Sequence, residues 1–432
     1  MPPKSALAGE WRKIPLKLAD LSIDTTLRCG QSFRWRKYGD EWACTLRGRL
    51  VRLRQDDAAL HYQVIWPENK CLAEGHDDDT EALICHYLSL SVDLQELYSE
   101  WSAADPHFKK LAANFSGIRI LSQDAWEALV SFICSSNNNI SRISQMVQKL
   151  CIQYGPFVAK VEDELFHDFP SPEEMAGDDV EATLRGLGFG YRARYLADTA
   201  KIVASKPKGW LDSLRNPENP SFGSSTINPN ATYKEAHKQL LQLKGVGPKV
   251  SDCVCLMGLS WGESVPVDTH VWQIAVRDYK FSKGKPKAFA LSMYEPVGDL
   301  FRDLWGAKAG WAHSVLFTAD LRAFSEQKAA TSVKNASKKE ELKKEHPEDT
   351  MEIEYPSLSR KRKSSVGLYE TNFSKKGKRE LADRLSSEAA VKTEVETDVK
   401  IKAEDMDIDM MTPEPERPTR RSARLRAVKM EE

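Results

Sequence analysis

The sequence lacks the features that mark several common classes of protein. Its eight cysteines include no Cys-x-x-Cys pair, so the spacing typical of zinc and iron–sulfur sites is missing. No apolar run reaches the roughly 20 residues that a membrane helix needs, so we expect no membrane partner. The net charge of −1 gives no global sign of a polyanionic ligand, and any face that binds one must be local. We therefore predict no metal, no cofactor and reduced thiols.

The last quarter of the chain is poor in residues that build a core. All 11 Trp lie at or before Trp311, and all 8 Cys lie at or before Cys255. From residue 326 the sequence is charged and poor in aliphatic side chains, so we predict a disordered tail over 326–432. Its basic clusters predict nuclear localisation through an importin. The clusters are Arg360-Lys361-Arg362-Lys363, Lys375-Lys376-Gly377-Lys378-Arg379 and Arg417 to Arg426. Basic residues near the N-terminus, including Lys4 and Lys13, leave a mitochondrial pool as a second expectation.

Short strand-like runs separated by close turns fill residues 22–66. The runs are Gln31–Arg36, Glu41–Leu46, Leu50–Arg54 and Leu60–Ile65. Turn residues such as Gly39-Asp40 stand between them, and such close spacing favours an antiparallel meander. We therefore predict an N-terminal antiparallel β-sheet domain with flanking helices over residues 1–115, in which residues 80–104 are helical.

From about residue 106 the apolar residues follow a helical period. Asp124 and Glu127 form an Asp-x-x-Glu pattern before an apolar run, which predicts a capping box. Residues 233–242 and 248–259 predict two helices joined by a short hairpin, and a further helix begins after Asp268. We predict an all-helical domain over 116–325, and therefore an α+β protein.

The hairpin between these two helices contains the Gly-x-Gly turn Gly245-Val246-Gly247, followed by Pro248. Glycine permits a positive φ and lets a partner approach the backbone, and proline suits the first position of a helix. The free N–H groups and the positive dipole at that helix end favour an anion. The turn therefore predicts a contact with a nucleic-acid phosphate, and the alternative is a plain corner between two helices.

Lys249 lies in the first turn of the second helix, where the helix dipole opposes a positive charge. A lysine nucleophile must be neutral, and a free amine with a pKa of about 10.4 is neutral only on the order of once in a thousand at neutral pH. Burial among apolar neighbours such as Val246, Val250 and Val254 would favour the neutral form. We predict a nucleophilic amine, and the alternative is a lysine that only contacts phosphate.

Asp268 follows Pro266-Val267 and precedes the helix that begins near Thr269. A carboxylate in that position is commonly a plain N-cap. In an apolar pocket beside a reactive amine it can also stabilise a developing cation, and the two roles are compatible. We predict that Lys249 and Asp268 face each other across a cleft and act on a nucleic-acid sugar.

Six motifs in order along residues 10–325 resemble those of the helix–hairpin–helix DNA glycosylase superfamily, and most closely those of eukaryotic 8-oxoguanine DNA glycosylase/AP lyase. The motifs are Gly30-Gln31-Ser32-Phe33-Arg34-Trp35, Ser135-Ser136-Asn137-Asn138-Asn139-Ile140, Gly190-Tyr191-Arg192-Ala193-Arg194-Tyr195, Lys249-Val250-Ser251-Asp252-Cys253, Val265-Pro266-Val267-Asp268-Thr269-His270 and Trp311-Ala312-His313-Ser314-Val315-Leu316-Phe317. The resemblance implies that the sheet domain lies beside a helix–hairpin–helix glycosylase domain, with the damaged base flipped into the cleft between them.

The resemblance also implies the chemistry. Lys249 would attack C1′ of the deoxyribose as the base leaves, which forms a Schiff base, and β-elimination would then nick the strand 3′ to the lesion. Asp268 would stabilise the oxocarbenium-like transition state and position the amine. The expected enzyme is a bifunctional DNA glycosylase and AP lyase of base excision repair. It would act as a monomer on double-stranded DNA that carries 8-oxoguanine opposite cytosine.

The family's base pocket is carried over to five positions. Cys253 and Phe317 match the two walls that sandwich the base, and Met257 completes the pocket. Gly30 matches the position whose carbonyl accepts the N7–H of the oxidised base, and ordinary guanine lacks this proton. His313 stands where the family has glutamine facing the Watson–Crick edge. One ring nitrogen can donate or accept a hydrogen bond, but not both.

Further positions match the family's contacts to DNA. Asn137 matches the residue that fills the gap left in the base stack, and Tyr191 matches the wedge beside it. Arg142 and Arg192 match the pair that reads the orphaned cytosine, and His270 matches a position near the 5′ phosphate. Flipping a base costs a few kcal/mol, so a filler and a partner for the orphaned base are expected.

Two alternatives stand beside this prediction. The first is a relative that acts on an alkylated purine or an oxidised pyrimidine, although the former branch generally lacks the lysine and the latter generally carries four clustered cysteines. The second is a DNA-binding scaffold without catalysis. The presence of Lys249 together with Asp268 argues against a scaffold, because phosphate binding needs no such pair.

Overall fold

The computed structural model describes residues 9–67, 78–161, 163–281, 289–321 and 324. The tail predicted over 326–432, with its basic clusters, lies outside the described residues, and so does Lys4. Backbone contacts gather the described residues into one compact unit, and the domain boundary between residues 115 and 116 stays a prediction. No helix of the described residues is both long and apolar enough to cross a bilayer.

The N-terminal part of the described chain is a five-stranded antiparallel sheet in the order β1-β5-β4-β3-β2. Its strands are β1 (Arg12–Pro15), β2 (Arg36–Tyr38), β3 (Glu41–Leu46), β4 (Arg49–Gln55) and β5 (Ala59–Ile65). Strand β4 lies at the centre, with Val51 opposite Cys44 on one side and Leu53 opposite Tyr62 on the other. All four of these side chains are buried, so the sheet has its own apolar core.

The strand predicted over Gln31–Arg36 is wrong, because β2 begins only at Arg36. The side-chain amide of Gln31 instead donates to the Arg119 carbonyl at 2.7 Å and accepts from the Leu121 N–H at 3.0 Å. These bonds tie the segment to the chain that leads into the helices, so it cannot pair as a strand. The exposed, basic strand β1 was not predicted.

Most of the remaining described chain is helical. The helices are α1 (Ile23–Thr26), α2 (Thr80–Tyr87), α3 (Leu94–Ala104), α4 (Pro106–Ala112), α5 (Ala125–Cys134), α6 (Ile140–Tyr154), α7 (Val180–Gly186), α8 (Arg192–Ala204), α9 (Tyr233–Leu240), α10 (Pro248–Met257), α11 (Thr269–Asp278), α12 (Tyr294–Trp305) and α13 (Ala309–Asp320). The helical prediction over 80–104 is confirmed for α2 and α3, which are separated by a break at residues 88–93. Ser89 adopts a positive φ of 52°, and Asp93 then caps α3 by accepting from the Glu96 N–H.

A β-hairpin interrupts the segment that was predicted to be all helical. It consists of β6 (Phe157–Val161) and β7 (Glu164–His167). Val158 and Phe166 of the hairpin pack with Leu50 of the sheet in a small shared core. The α+β class is confirmed, but the hairpin belongs structurally with the sheet because its apolar side chains find their partners there.

A buried ion-pair network joins the sheet region to the helices. Arg34 donates to Glu127 at 2.7 Å and to Asp168 at 3.1 Å, and its side chain is almost wholly buried. The predicted capping box is therefore only half correct. Asp124 accepts from the N–H groups of Trp126 and Glu127, but the Glu127 carboxylate binds Arg34 instead of returning to the helix end.

Candidate active site

The hairpin between α9 and α10 is shaped by its first glycine. Gly245 has a φ of 74°, and a Cβ at this position would lie 2.8 Å from the Cβ of Tyr195. Both the backbone conformation and the close approach therefore require glycine. Gly247 then forms the N-cap of α10 without a side-chain bond, and Pro248 occupies the first turn. This leaves backbone N–H groups at the N-terminus of α10, as the phosphate prediction requires.

Lys249 is half-buried near this N-terminus and is directed toward the end of α5. Its Nζ donates to Ser135 Oγ at 3.3 Å and lies 5.3 Å from the centre of the Phe132 ring. Among the described residues no carboxylate oxygen lies within 4.0 Å of this nitrogen. The amine therefore forms no ion pair with any described residue, and its nitrogen can meet a substrate atom.

Asp268 caps the next helix. Its Oδ1 accepts from the N–H groups of His270 at 2.9 Å and Val271 at 3.0 Å, as the sequence predicted. These bonds fix the carboxylate at the N-terminus of α11, where the helix dipole favours its negative charge. Asp268 is half-buried and lines the same cavity as Lys249. The two groups share one cavity without forming an ion pair with each other.

This cavity is small and partly open to solvent, with a volume of about 50 Å³. All five residues predicted for the base pocket line it together with the lysine and the carboxylate: Gly30, Cys253, Met257, His313 and Phe317. The structure therefore brings every predicted catalytic and base-pocket residue to one place. Their individual roles stay predictions.

Lys249, Cys253 and Met257 lie four residues apart on one face of α10. Cys253 is buried, and burial raises the pKa of its thiol to about 11, against a smaller opposite influence from Lys249. The thiol is therefore protonated at neutral pH and forms an apolar wall. A side chain at Gly30 would be strained, because the backbone there has a φ of 91° and an added Cβ would press on Ile140 at a distance of 3.2 Å.

His313 is a buried histidine that lacks partners. Neither Nδ1 nor Nε2 has a hydrogen-bond partner, although the side chain is only 6% exposed. Burial lowers the pKa of the imidazole to about 4, and the positive charge of Lys249 acts in the same direction while Asp268 opposes it. A neutral imidazole offers one donor and one acceptor. Leaving these buried atoms unpaired is costly, so the ring is suited to a ligand that supplies the missing partners.

The residues predicted to contact the opposite strand gather around the loop after α5. Asn137 is exposed with a positive φ of 47°, and Arg142 is exposed in the first turn of α6. Tyr191 is 48% exposed, and its hydroxyl donates to the Ser136 carbonyl at 3.1 Å. Arg192 differs from the others. It is buried and donates to the carbonyls of Ser136 and Asn137, so in this state it supports the loop.

His270 lies at the other rim of the cavity. Its side chain is exposed, and its ring meets Phe317 edge to face at a centroid distance of 6.3 Å. The position suits a contact with the DNA backbone beside the base pocket. Val246 of the hairpin is buried, so only its backbone could meet a phosphate.

Sequence reasoning did not identify several residues that form the site. Phe132 and Ser135 contact the lysine directly, and Cys29, Gln31, Leu256, Pro266, Ser314 and Thr318 also line the cavity. The nearest signal was the end of the apolar run of α5 at Cys134, where a serine follows. Within the described residues, no three side chains of the metal-binding types lie close enough to hold an ion.

Two family profiles match adjoining stretches of the chain. That of the 8-oxoguanine DNA glycosylase N-terminal domain matches residues 13–129, and that of the HhH-GPD superfamily base excision DNA repair proteins matches residues 130–296. An N-glycosylase/DNA lyase of Saccharomyces cerevisiae is 37% identical over 346 residues, which cover 73% of this chain and 87% of the yeast protein. The chain belongs to the 8-oxoguanine DNA glycosylase family.

Other relatives agree with this membership. The N-glycosylase/DNA lyase OGG1 of Arabidopsis thaliana is 36% identical over 324 residues, covering 73% of this chain and 81% of the plant protein. The Clostridium acetobutylicum 8-oxoguanine glycosylase/lyase, solved with double-stranded DNA containing cytosine opposite to 8-oxoguanine, is 25% identical with a TM-score of 0.56. That match covers 69% of this chain and 91% of the clostridial chain. As a member of this family, the chain is an enzyme of base excision repair, a DNA N-glycosylase and lyase.

Proposed function

We propose that the chain removes 8-oxoguanine from opposite cytosine in duplex DNA through a Schiff base on Lys249, and then nicks the strand. The observation that carries this proposal is the shared cavity, where Lys249 and Asp268 lie with the five residues of the base pocket. The clostridial relative was solved on DNA of this kind, which supports both the lesion and its partner base.

The neutral Nζ of Lys249 forms a bond to C1′, and the bond from C1′ to the base nitrogen breaks. The base leaves with that electron pair and takes up a proton. Opening of the sugar ring then gives an imine between Nζ and C1′. Loss of a proton from C2′ allows the bond from C3′ to its oxygen to break, which nicks the strand 3′ to the lesion. Asp268 stabilises the positive charge that develops on the sugar.

Base recognition is divided between apolar walls and a few polar atoms. Cys253 and Phe317 sandwich the base, and the Gly30 carbonyl accepts its N7–H. An unmodified guanine would leave that carbonyl facing a bare nitrogen, and such a mismatch discriminates strongly. The neutral His313 supplies one hydrogen bond to the Watson–Crick edge. Binding of the base therefore provides His313 with the partner that the protein does not supply.

On the opposite strand, Asn137 fills the gap in the stack and Tyr191 wedges beside it. Arg142 and Arg192 bind the orphaned cytosine, and the Gly245-Val246-Gly247 amides and His270 bind phosphates. Arg192 Nη2 already donates to the carbonyls of Ser136 and Asn137. Arg192 therefore contacts the cytosine through its remaining N–H groups, or after the loop that carries these carbonyls has moved. Its Nε has no hydrogen-bond partner.

Borohydride trapping tests the proposal, because the reductant converts the imine into a stable covalent adduct. We expect an adduct between the native chain and a duplex with 8-oxoguanine opposite cytosine, and none with Lys249→Gln. The same lesion opposite adenine should give much less adduct. Trapping on a duplex with an alkylated base, but not on 8-oxoguanine, would overturn the substrate assignment.

The remaining expectations concern the cell. We propose a nuclear enzyme, imported through the basic clusters of the tail, that acts as a monomer. A fluorescent fusion that lacks residues 326–432 should lose its nuclear accumulation, and light scattering of the full chain should give the mass of one copy. Accumulation of the intact fusion only in mitochondria would contradict the nuclear assignment.

A further inference from the structure

A second polar cluster lies on the side of α10 that faces α9 and α12. At its centre is Asp252, three residues after Lys249 and almost completely buried. Its Oδ1 accepts from the hydroxyls of Tyr233 at 2.6 Å and Ser264 at 3.0 Å. Its Oδ2 accepts from the hydroxyl of Tyr294 at 2.5 Å. Three hydroxyls from three parts of the chain therefore converge on one carboxylate.

Tyr294 makes a further bond that Tyr233 does not make. Its hydroxyl oxygen accepts from the backbone N–H of Val267 at 3.4 Å, and Val267 immediately precedes Asp268. One hydroxyl thus joins the helix that carries the amine to the peptide that carries the carboxylate. Among the described residues, the Tyr233 hydroxyl donates to Asp252 and makes no bond to the segment before Asp268.

The segment from Ser264 to Asp268 is held at both ends by Asp252. At the first end, Ser264 Oγ bonds the backbone carbonyl of Asp252 at 2.9 Å as well as its carboxylate. At the second end, Tyr294 bridges from the carboxylate to Val267. Ser264 and Val267 are buried, so water cannot replace a lost bond easily. The segment therefore has little freedom to shift relative to α10.

We propose that Tyr294 is a positioning residue that sets the spacing between the Lys249 amine and the Asp268 carboxylate. This inference rests on the proposed function, in which these two groups act on the same sugar. Tyr294 itself does not line the cavity and touches no reacting atom. It acts through Asp252 and Val267. Burial raises the pKa of Asp252, and the nearby His237 and the three hydroxyls oppose this shift because they stabilise the charged carboxylate.

Tyr294→Phe removes the bridging hydroxyl and keeps the ring. We expect the single-turnover rate of base release from an 8-oxoguanine·cytosine duplex to fall by roughly 10- to 100-fold, because a misplacement of about 1 Å costs on the order of a hundredfold. The dissociation constant for a duplex with an uncleavable abasic analogue should change by less than about twofold, since Tyr294 contacts no DNA-binding residue.

Tyr233→Phe is the matched control. It removes a hydroxyl from the same buried carboxylate, so its unfolding midpoint should fall about as far as that of Tyr294→Phe. Its rate should stay within about threefold of the native rate, because Tyr233 does not bond the segment that carries Asp268. Equal rate losses in the two variants would overturn the inference, and so would a native rate in Tyr294→Phe.

Ser264→Ala keeps the proposal testable if Tyr294→Phe fails to fold. It frees the other end of the segment, and we expect at least a threefold loss of rate at unchanged DNA affinity; no loss would count against the inference. Failure of the native chain to give a borohydride adduct is a separate result. It would reject the proposed function itself, whereas a trapped native chain with no difference between the two tyrosine variants rejects only the role of Tyr294.

Discussion

The two sides of α10 differ in how their polar atoms are satisfied. On the cavity side, and within the described part of the chain, Lys249 forms no ion pair and both ring nitrogens of His313 lack a hydrogen-bond partner. On the other side, Asp252 accepts from three hydroxyls and has both oxygens bonded. Folding alone satisfies the carboxylate of Asp252, whereas the ring nitrogens of His313 are left for a ligand to satisfy. Helix α10 is therefore fixed to the rest of the protein through Asp252, while the face that carries Lys249 can bind a ligand.

Residues that support the fold can therefore be distinguished from residues that perform the chemistry by the effects of their substitution. A substitution on the cavity side should change the reaction and leave the free energy of unfolding almost unchanged. A substitution on the side of Asp252 should lower the free energy of unfolding first. The predictions below test that division, beginning with the largest expected effect.

Asp268→Asn should lower the single-turnover rate by about 10²- to 10³-fold, the usual cost of losing an electrostatic group from a transition state. The free energy of unfolding should hardly change, because asparagine caps a helix about as well as aspartate. Single-turnover kinetics and urea unfolding of the same preparation measure the two quantities. A native rate would show that Asp268 is only a cap.

Asp252→Ala should lower the free energy of unfolding by about 3 kcal/mol, since it leaves the hydroxyls of Tyr233 and Tyr294 without their acceptor. Ser264 keeps the backbone carbonyl of residue 252 as an acceptor. Lys249→Gln, on the face of the same helix that lines the cavity, is the control. It breaks no ion pair and should stay within about 0.5 kcal/mol of the native chain. Urea unfolding compares them, and equal losses would abolish the distinction between the two sides.

His313→Phe should make the chain less sensitive to acid. The folded-state pKa of about 4 lies below the ordinary value near 6.5, so between these values the unfolded chain binds the proton and the folded chain does not. The contribution of the neutral His313 to the free energy of unfolding is thus fully present above pH 6.5 and is lost as the pH falls toward 4. Between pH 7 and pH 5 the native chain should lose about 2 kcal/mol that the variant keeps.

The measurement is urea unfolding at both pH values. Burial also lowers the pKa of His86 to about 4, and His86 remains in both proteins, so the variant should retain some sensitivity to acid. An identical pH dependence in the two proteins would mean that the imidazole of His313 is not held neutral by the fold.

Gly245→Ala should cost about 1 kcal/mol or slightly more in stability, because alanine is strained at a positive φ and its Cβ would press on Tyr195. Gly247→Ser is the matched control in the same turn, because serine is well suited to the N-cap position that Gly247 occupies. Its φ of −96° suits any residue, and a Cβ there meets open space. Thermal unfolding should separate the two variants, and equal midpoints would contradict the strain argument.

Local signals in the sequence identified much of the site. The caps at Asp124 and Asp268 follow from an acidic residue placed before an apolar period, and both were confirmed. The hairpin glycines and Pro248 predicted the start of α10, because glycine suits the turn before a helix and proline suits its first position. Such features depend on a few neighbouring residues, so they can be predicted without knowing the fold.

Features that depend on distant partners could not be predicted. Glu127 matched a capping box, but it binds Arg34 from 93 positions earlier in the chain. Asp252 stood within a recognised motif and was assigned no role, because its partners Tyr233 and Tyr294 meet it only after α9 and α12 have packed on α10. The β6–β7 hairpin was missed because the sheet residues that cover it are also remote in sequence.

Helix α5 spans the point at which the two family profiles meet, since one ends at residue 129 and the other begins at residue 130. A gene cut at that junction would yield two fragments that each carry half of a buried helix. Arg34 and Glu127 would remain in one fragment, while Asp168 would be in the other. Because that cut would divide the buried helix α5 and separate Arg34 from Asp168, we expect neither fragment of this chain to fold as it does in the intact protein.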